Sequence, residues 1–132
     1  MSNAPDASGP FLFSADPAAF RAEGAFVVRI PAKARGKEKL LSVLAAKLRF
    51  PSYFGHNWDA LEECLRDLSW LADQPRVVIV HEALPFSSAG EALAIYQSIL
   101  ADAVAAHRDR ATPPLLEVVF PGPSVDHAID NR

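Results

Sequence analysis

A chain of 132 residues, half of them hydrophobic, is long enough to bury one core and too short for two ordinary domains. Its formal charge of −3 is unevenly spread: residues 1–49 carry a balance of +4 and residues 50–132 a balance of −7, which lets a charged partner steer the molecule without dictating its fold. One cysteine, Cys64, excludes an internal disulfide; with no apolar run near the roughly 20 residues of a membrane span and no secretory signal at the start, no membrane association and a cytoplasmic, reducing location are expected.

Residues 1–15 are rich in Pro, Gly and Ser and read as loose. Asp16-Pro17 has the form of an N-cap with proline at the first helical position, which predicts a short helical turn to about Glu23, stopped by Gly24. Residues 25–30, mostly apolar and β-branched, predict a strand that Pro31 ends. Leu40, Leu41, Leu44, Ala45 and Leu48 recur at helical spacing between about Lys37 and Arg49, and Pro51 closes that element.

Asn57 is placed to cap a second helix running to about Leu68, with Leu61, Cys64, Leu65 and Leu68 on its inner stripe. Gln74-Pro75 is a candidate for a cis bond at the start of the next strand. Val77-Val78-Ile79-Val80 has the unbroken apolar character of a strand buried on both faces. Ser88-Ala89-Gly90-Glu91 fits a capping box that opens a long helix carrying Leu93, Ile95, Tyr96, Ile99, Leu100 and Val104. Pro113-Pro114 breaks it, residues 115–120 make the last strand, and the residues after Pro121 read as a tail.

The order β-α-α-β-α-β, with helical crossovers between buried strands, predicts an α/β fold with a three-stranded parallel sheet packed by helices. Residues 1–24 are an extension, 25–120 the domain and 121–132 the tail.

The stretch from Pro51 to Leu65 carries the functional signal, because aromatic rings, a glycine and several acids crowd one loop-to-helix junction. Asp59 and Glu63 are four residues apart and share a helical face, with Glu62 beside them and Asp67 one turn on. The helix dipole favours Asp59 in the first turn. It does not explain Glu63 and Asp67, because the effect fades within a turn and like charges at that spacing repel. Phe54 is expected in the core, while Tyr53 and Trp58 can each bury a ring and leave a polar tip outside. Gly55 is expected to serve a turn needing positive φ, or else the close approach of a partner.

Catalytic readings find little support. Two acids on one open helical face lack a pocket that would drive their pKa values apart. His56, His81, His107 and His127 show no metal-ligand spacing, no CxxC, P-loop or GxGxxG is present, and Cys64 falls on the buried stripe. No cofactor or metal is expected. Lys33, Arg35, Lys37, Lys39, Lys47 and Arg49 form a basic region, but the acidic helix just beyond it would repel a phosphate backbone, so no nucleic-acid partner is expected.

The run Phe50-Pro51-Ser52-Tyr53-Phe54-Gly55-His56-Asn57-Trp58-Asp59-Ala60-Leu61-Glu62-Glu63-Cys64-Leu65 resembles the barstar family of intracellular ribonuclease inhibitors. The family segment reads Leu-Pro-x-Tyr-Tyr-Gly-x-Asn-x-Asp-Ala-Leu-x-Asp-Cys-Leu. The resemblance spans about residues 25–120 and implies a barstar-like three-stranded parallel sheet. It also implies that the second helix and the loop before it plug the active site of a small basic ribonuclease or related toxin. On that reading Tyr53, Gly55, Asn57, Trp58, Asp59, Glu62 and Glu63 form the contact surface of a monomer. Asp59 meets basic residues of the partner, Glu63 mimics a phosphate, and Asp102 adds an acidic contact from the last helix. Relative to the family, Glu63 replaces aspartate, Glu62 tryptophan, Trp58 leucine and Arg66 threonine. The alternative is a barstar-like interaction module that regulates or scaffolds a partner other than a nuclease.

Overall fold

A computed structural model describes residues 9–123. The expectations that fall on residues 1–8 and 124–132, including His127, lie outside the described residues. Within them run β1 (Leu12–Ser14), β2 (Phe26–Ile30), α1 (Lys37–Lys47), α2 (Trp58–Asp67), β3 (Arg76–His81), α3 (Glu91–Arg110) and β4 (Leu115–Pro121). All strand pairs are parallel, in the spatial order β1-β4-β3-β2.

The sheet therefore has four strands, not the three expected. β1 pairs Leu12 with Val119 and Ser14 with Pro121 along the outer edge of β4. Three residues set among prolines, glycine and serines carry too short a pattern to be read as a strand; tertiary pairing makes them one. The Asp16-Pro17 signal yields only a 3-10 turn over Pro17–Ala19, and the Asp16 side chain makes no capping bond.

Alternation along the strands sends two sets of side chains to opposite faces. Val28, Ile30, Val77, Ile79, Leu116, Val118 and Phe120 face the helices, where Leu40, Leu41 and Leu44 of α1, Leu61, Cys64 and Leu65 of α2, and Tyr96, Leu100 and Val104 of α3 close the main core. On the other face Val78, Val80 and Val119 are covered by Leu12, Phe20, Ala22 and Ala25, all from the N-terminal segment. Every residue from Val77 to Val80 is fully buried, as a strand covered on both faces must be. Arg29 fastens the cover: its guanidinium donates to the carbonyls of Pro17, at 2.8 Å, and Phe20.

Three local expectations are corrected. Ser88 does not open a capping box: the Ser87 hydroxyl takes the Ala89 N–H, and α3 begins at Glu91 behind a Gly90 cap that has no side-chain bond. Gly55 does not have positive φ; the neighbouring His56 does, at 56°. The cis bond is Pro113–Pro114, and Gln74–Pro75 is trans.

Candidate functional site

α2 is strongly two-sided. Leu61, Cys64 and Leu65 are buried, as is Leu68 just past its end, whereas Asp59, Glu63, Arg66 and Asp67 are exposed. Burying a leucine removes about 1.5–3 kcal/mol worth of apolar surface from water, so three leucines and a cysteine fix which way the acids point. Burial, and after it the nearby Glu63 and Asp67 carboxylates, push the Cys64 thiol pKa up. Cys64 is thus a small core residue on the reverse of the acidic face.

Asn57 starts the helix as expected: its Oδ1 accepts the Ala60 N–H at 2.7 Å. The same side chain explains Gly55. Asn57 Nδ2 reaches back to Gly55 O at 3.4 Å, and a Cβ on Gly55 would stand 3.2 Å from that nitrogen. A side chain here would crowd the cap by a few tenths of an ångström, while the backbone conformation makes no demand for glycine.

The loop before α2 is anchored by aromatic rings. Phe54 is buried, with its ring 4.9 Å from Phe50, and Phe50 lies 6.1 Å from Trp70. Trp70 Nε1 donates to Leu48 O at 2.9 Å, tying the segment after α2 to the end of α1. With Phe54 held inside, Tyr53 stands 72% exposed. Trp58 is half-buried: its ring lies 5.9 Å from Phe86 and 6.3 Å from Tyr96, and Lys37 Nζ sits 5.2 Å above it. It holds the start of α2 to α1 and to α3 more than it offers a free ring to a partner.

The far end of α2 is held from α3. The last carbonyls of a helix lack intrahelical partners, and here they are taken in order. His107 Nε2 donates to Leu65 O at 2.7 Å, while Arg110 donates to Arg66 O and, at 3.3 Å, to Asp67 O. A cation at a helix C-terminus is also favoured by the dipole. His107 is fully buried, and burial holds its pKa below the ordinary value against the opposing effect of its bond to Leu65. These two residues sit more than 40 positions from their acceptors, and only the basic end of α3 hinted at them.

The result is a shallow depression lined by Asp59, Glu62, Glu63, Arg66 and Asp67 on an open surface. Glu62 is paired with Arg66 at 3.7 Å. Asp59, Glu63 and Asp67 form a row without a salt-bridge partner among the described residues. Of the expected contact residues, Asp59, Glu62 and Glu63 line the depression, while Tyr53, Gly55 and Asn57 are exposed in the loop that leads into α2. Asp102, exposed on α3, does not line the depression, and no hydrogen bond or ion pair ties it to α2.

Such a surface is suited to recognition. Asp67 Oδ1 accepts the Ser69 N–H at 3.3 Å, whereas carboxylates without an ion-pair partner, as at Asp59 and Glu63, can accept charge-assisted hydrogen bonds from Arg or Lys without first breaking a salt bridge. Among the described residues no group of three or more His, Cys, Asp or Glu is arranged to hold a metal, and no helix is long and apolar enough to cross a membrane.

A family model described as barstar (barnase inhibitor) matches residues 25–119. No curated protein and no solved structure matches the chain.

Proposed function

Because the chain belongs to the barstar family, a family of inhibitors rather than catalysts that act by binding protein, we propose that it binds and occludes the active site of a small basic ribonuclease or related toxin. Tyr53, Gly55, Asn57, Asp59, Glu62 and Glu63 form the contact surface, with the exposed edge of Trp58 beside them and Asp102 at its margin. Asp59 and Glu63 take the partner's cationic groups that otherwise hold RNA phosphates, and the Tyr53 ring supplies apolar contact next to them.

The observation that carries this reading is the unpaired row Asp59, Glu63 and Asp67 on a helix whose other face is locked into the core. Like charges at i, i+4 disfavour a helix by roughly 0.2–0.5 kcal/mol per pair, and Asp67 stands at the end where the dipole disfavours acid. The dipole favours Asp59 in the first turn, so the unfavourable charge lies at Glu63 and Asp67, and a cationic partner would relieve it.

RNA cleavage by a panel of small basic ribonucleases, measured with the protein added at micromolar concentration, tests the proposal. The expected result is stoichiometric inhibition of at least one member, weakening as salt rises past the point where the screening length falls below about 8–10 Å. If every member cleaves undiminished, the nuclease partner is refuted and the chain is an interaction module for another protein.

A further inference from the structure

The basic half of the chain gathers beside the acidic helix. Lys33 and Arg35 lie in the loop after β2, Lys37 and Lys39 in the first turn of α1, and all four are exposed. None has a salt-bridge partner among the described residues. Arg35, Gly36, Lys37, Glu38, Lys39 and Ser42 line a shallow concavity of their own, three cations against one acid. Lys37 Nζ lies 5.2 Å above the ring of Trp58, the first residue of α2 and the neighbour of Asp59, so the cationic patch reaches the start of the acidic helix at that ring.

Stability does not account for the patch. A helix N-terminus carries partial positive charge, and cations in its first turn are disfavoured, typically by about 0.3–1 kcal/mol each. α1 starts with Lys37 and Lys39 against one acid, Glu38, and its Gly36 cap offers no side-chain bond. α2 shows the mirror case, with Asp67 at its C-terminal end. The lysines at the unfavourable end of α1 thus stand beside the first residue of α2, while the unfavourable acid of α2, Asp67, stands at that helix's far end.

We propose that Lys33, Arg35, Lys37 and Lys39 form a second contact patch, continuous with the acidic face through Trp58, that engages carboxylates bordering the cationic cleft of the same protein partner. The inference rests on the ribonuclease-binding reading above and deepens it: the partner it selects has a basic cleft with an acidic rim on one side. A bipolar surface fixes the orientation of docking, because a partner turned end for end meets like charges at both patches.

The test uses the full chain and a ribonuclease that the wild-type protein inhibits, with association rates measured by stopped flow at low and high salt. Arg35→Glu with Lys39→Glu reverses the patch and leaves the Lys37–Trp58 contact in place. Lys47→Glu with Ala46→Glu, at the other end of α1 and exposed, lowers the total charge by three against four for the patch variant. The patch variant is expected to associate about tenfold more slowly at low salt, and the control within about threefold of wild type. Added negative charge by itself speeds association with a basic partner, so a patch variant that associates as fast as the control, or faster than wild type, would reduce the effect to net charge and overturn the proposal. Gel shift of single-stranded RNA by the wild-type protein, abolished by the patch variant, would also overturn it by making the patch a nucleic-acid site. A protein that inhibits no ribonuclease fails at the earlier reading; one that inhibits but whose two variants associate alike fails only here.

Discussion

His81 sets a pH limit on the fold. Its ring is fully buried between the sheet and α3: Nδ1 donates to Val119 O at 2.9 Å, Nε2 accepts the Tyr96 hydroxyl at 2.7 Å, and the ring stacks on Phe120 at 4.2 Å. That arrangement uses the neutral ring, since Nε2 must keep its lone pair for the tyrosine. Burial, opposed in part by the Val119 bond, lowers the pKa from 6.5 to about 4. As pH falls through 6.5 the unfolded chain binds a proton and the folded chain does not, so stability is lost from about pH 6.5 down to about pH 4 and the loss levels off below. At 1.36 kcal/mol for each tenfold change in proton affinity, the whole loss is about 3 kcal/mol, a large part of the 5–15 kcal/mol typical of a domain. Urea unfolding at intervals between pH 7.5 and 3.5 should show this loss. His81→Gln, whose amide keeps a donor and an acceptor, should remove most of that slope while lowering stability at pH 7.5. His107, also buried with a lowered pKa, adds loss in the same direction in both proteins. Wild-type and His81→Gln profiles that run parallel across the window would refute the reasoning.

Asn57→Ala should cost about 1 kcal/mol by losing the α2 cap and should weaken partner binding further, because Gly55 loses the amide it packs against; denaturant midpoints and partner titration measure the two effects separately. Ala111 ends α3 with φ at 58°, a conformation that favours glycine, so Ala111→Gly should raise stability by about 1 kcal/mol in thermal melts. Arg29→Met should cost about 2 kcal/mol, since two carbonyls held by a guanidinium lose their donor, and hydrogen exchange should speed up selectively at the amides of residues 17–25.

What the sequence showed and what it concealed divide along the range of the interactions. The buried strand at Val77–Val80, the α1 and α2 stripes and the Asn57 cap are local patterns, and each forms as the pattern predicts. β1 was hidden because three residues derive their conformation from pairing with β4, more than 100 positions away. The positive φ expected at Gly55 falls instead on His56, and what a side chain at Gly55 would crowd is the Asn57 amide, a contact made by the fold and not visible in the local sequence. Asp59 and Glu63 could be placed on an outward face from spacing alone. The carbonyl clamps of His107 and Arg110 that hold that face could not, as they join residues 42 to 44 apart across two helices. Trp58 is half-buried, as a ring that can pack and still leave a tip outside allows, but its neighbours Phe86, Tyr96 and Lys37 could not be named from the local sequence.

The central claim is that the outward acids of α2 bind and do not hold the fold. Titration calorimetry of Asp59→Ala with Glu63→Ala against a ribonuclease inhibited by the wild-type protein, paired with a thermal melt of the same variant, tests it most directly. Loss of two charge-assisted contacts, each worth about 1.5–3 kcal/mol, predicts at least a hundredfold weaker Kd with Tm nearly unchanged, since losing the favourable Asp59 charge is offset in part by relief of the Asp59–Glu63 repulsion. Undiminished affinity, or a collapse in Tm, would contradict it.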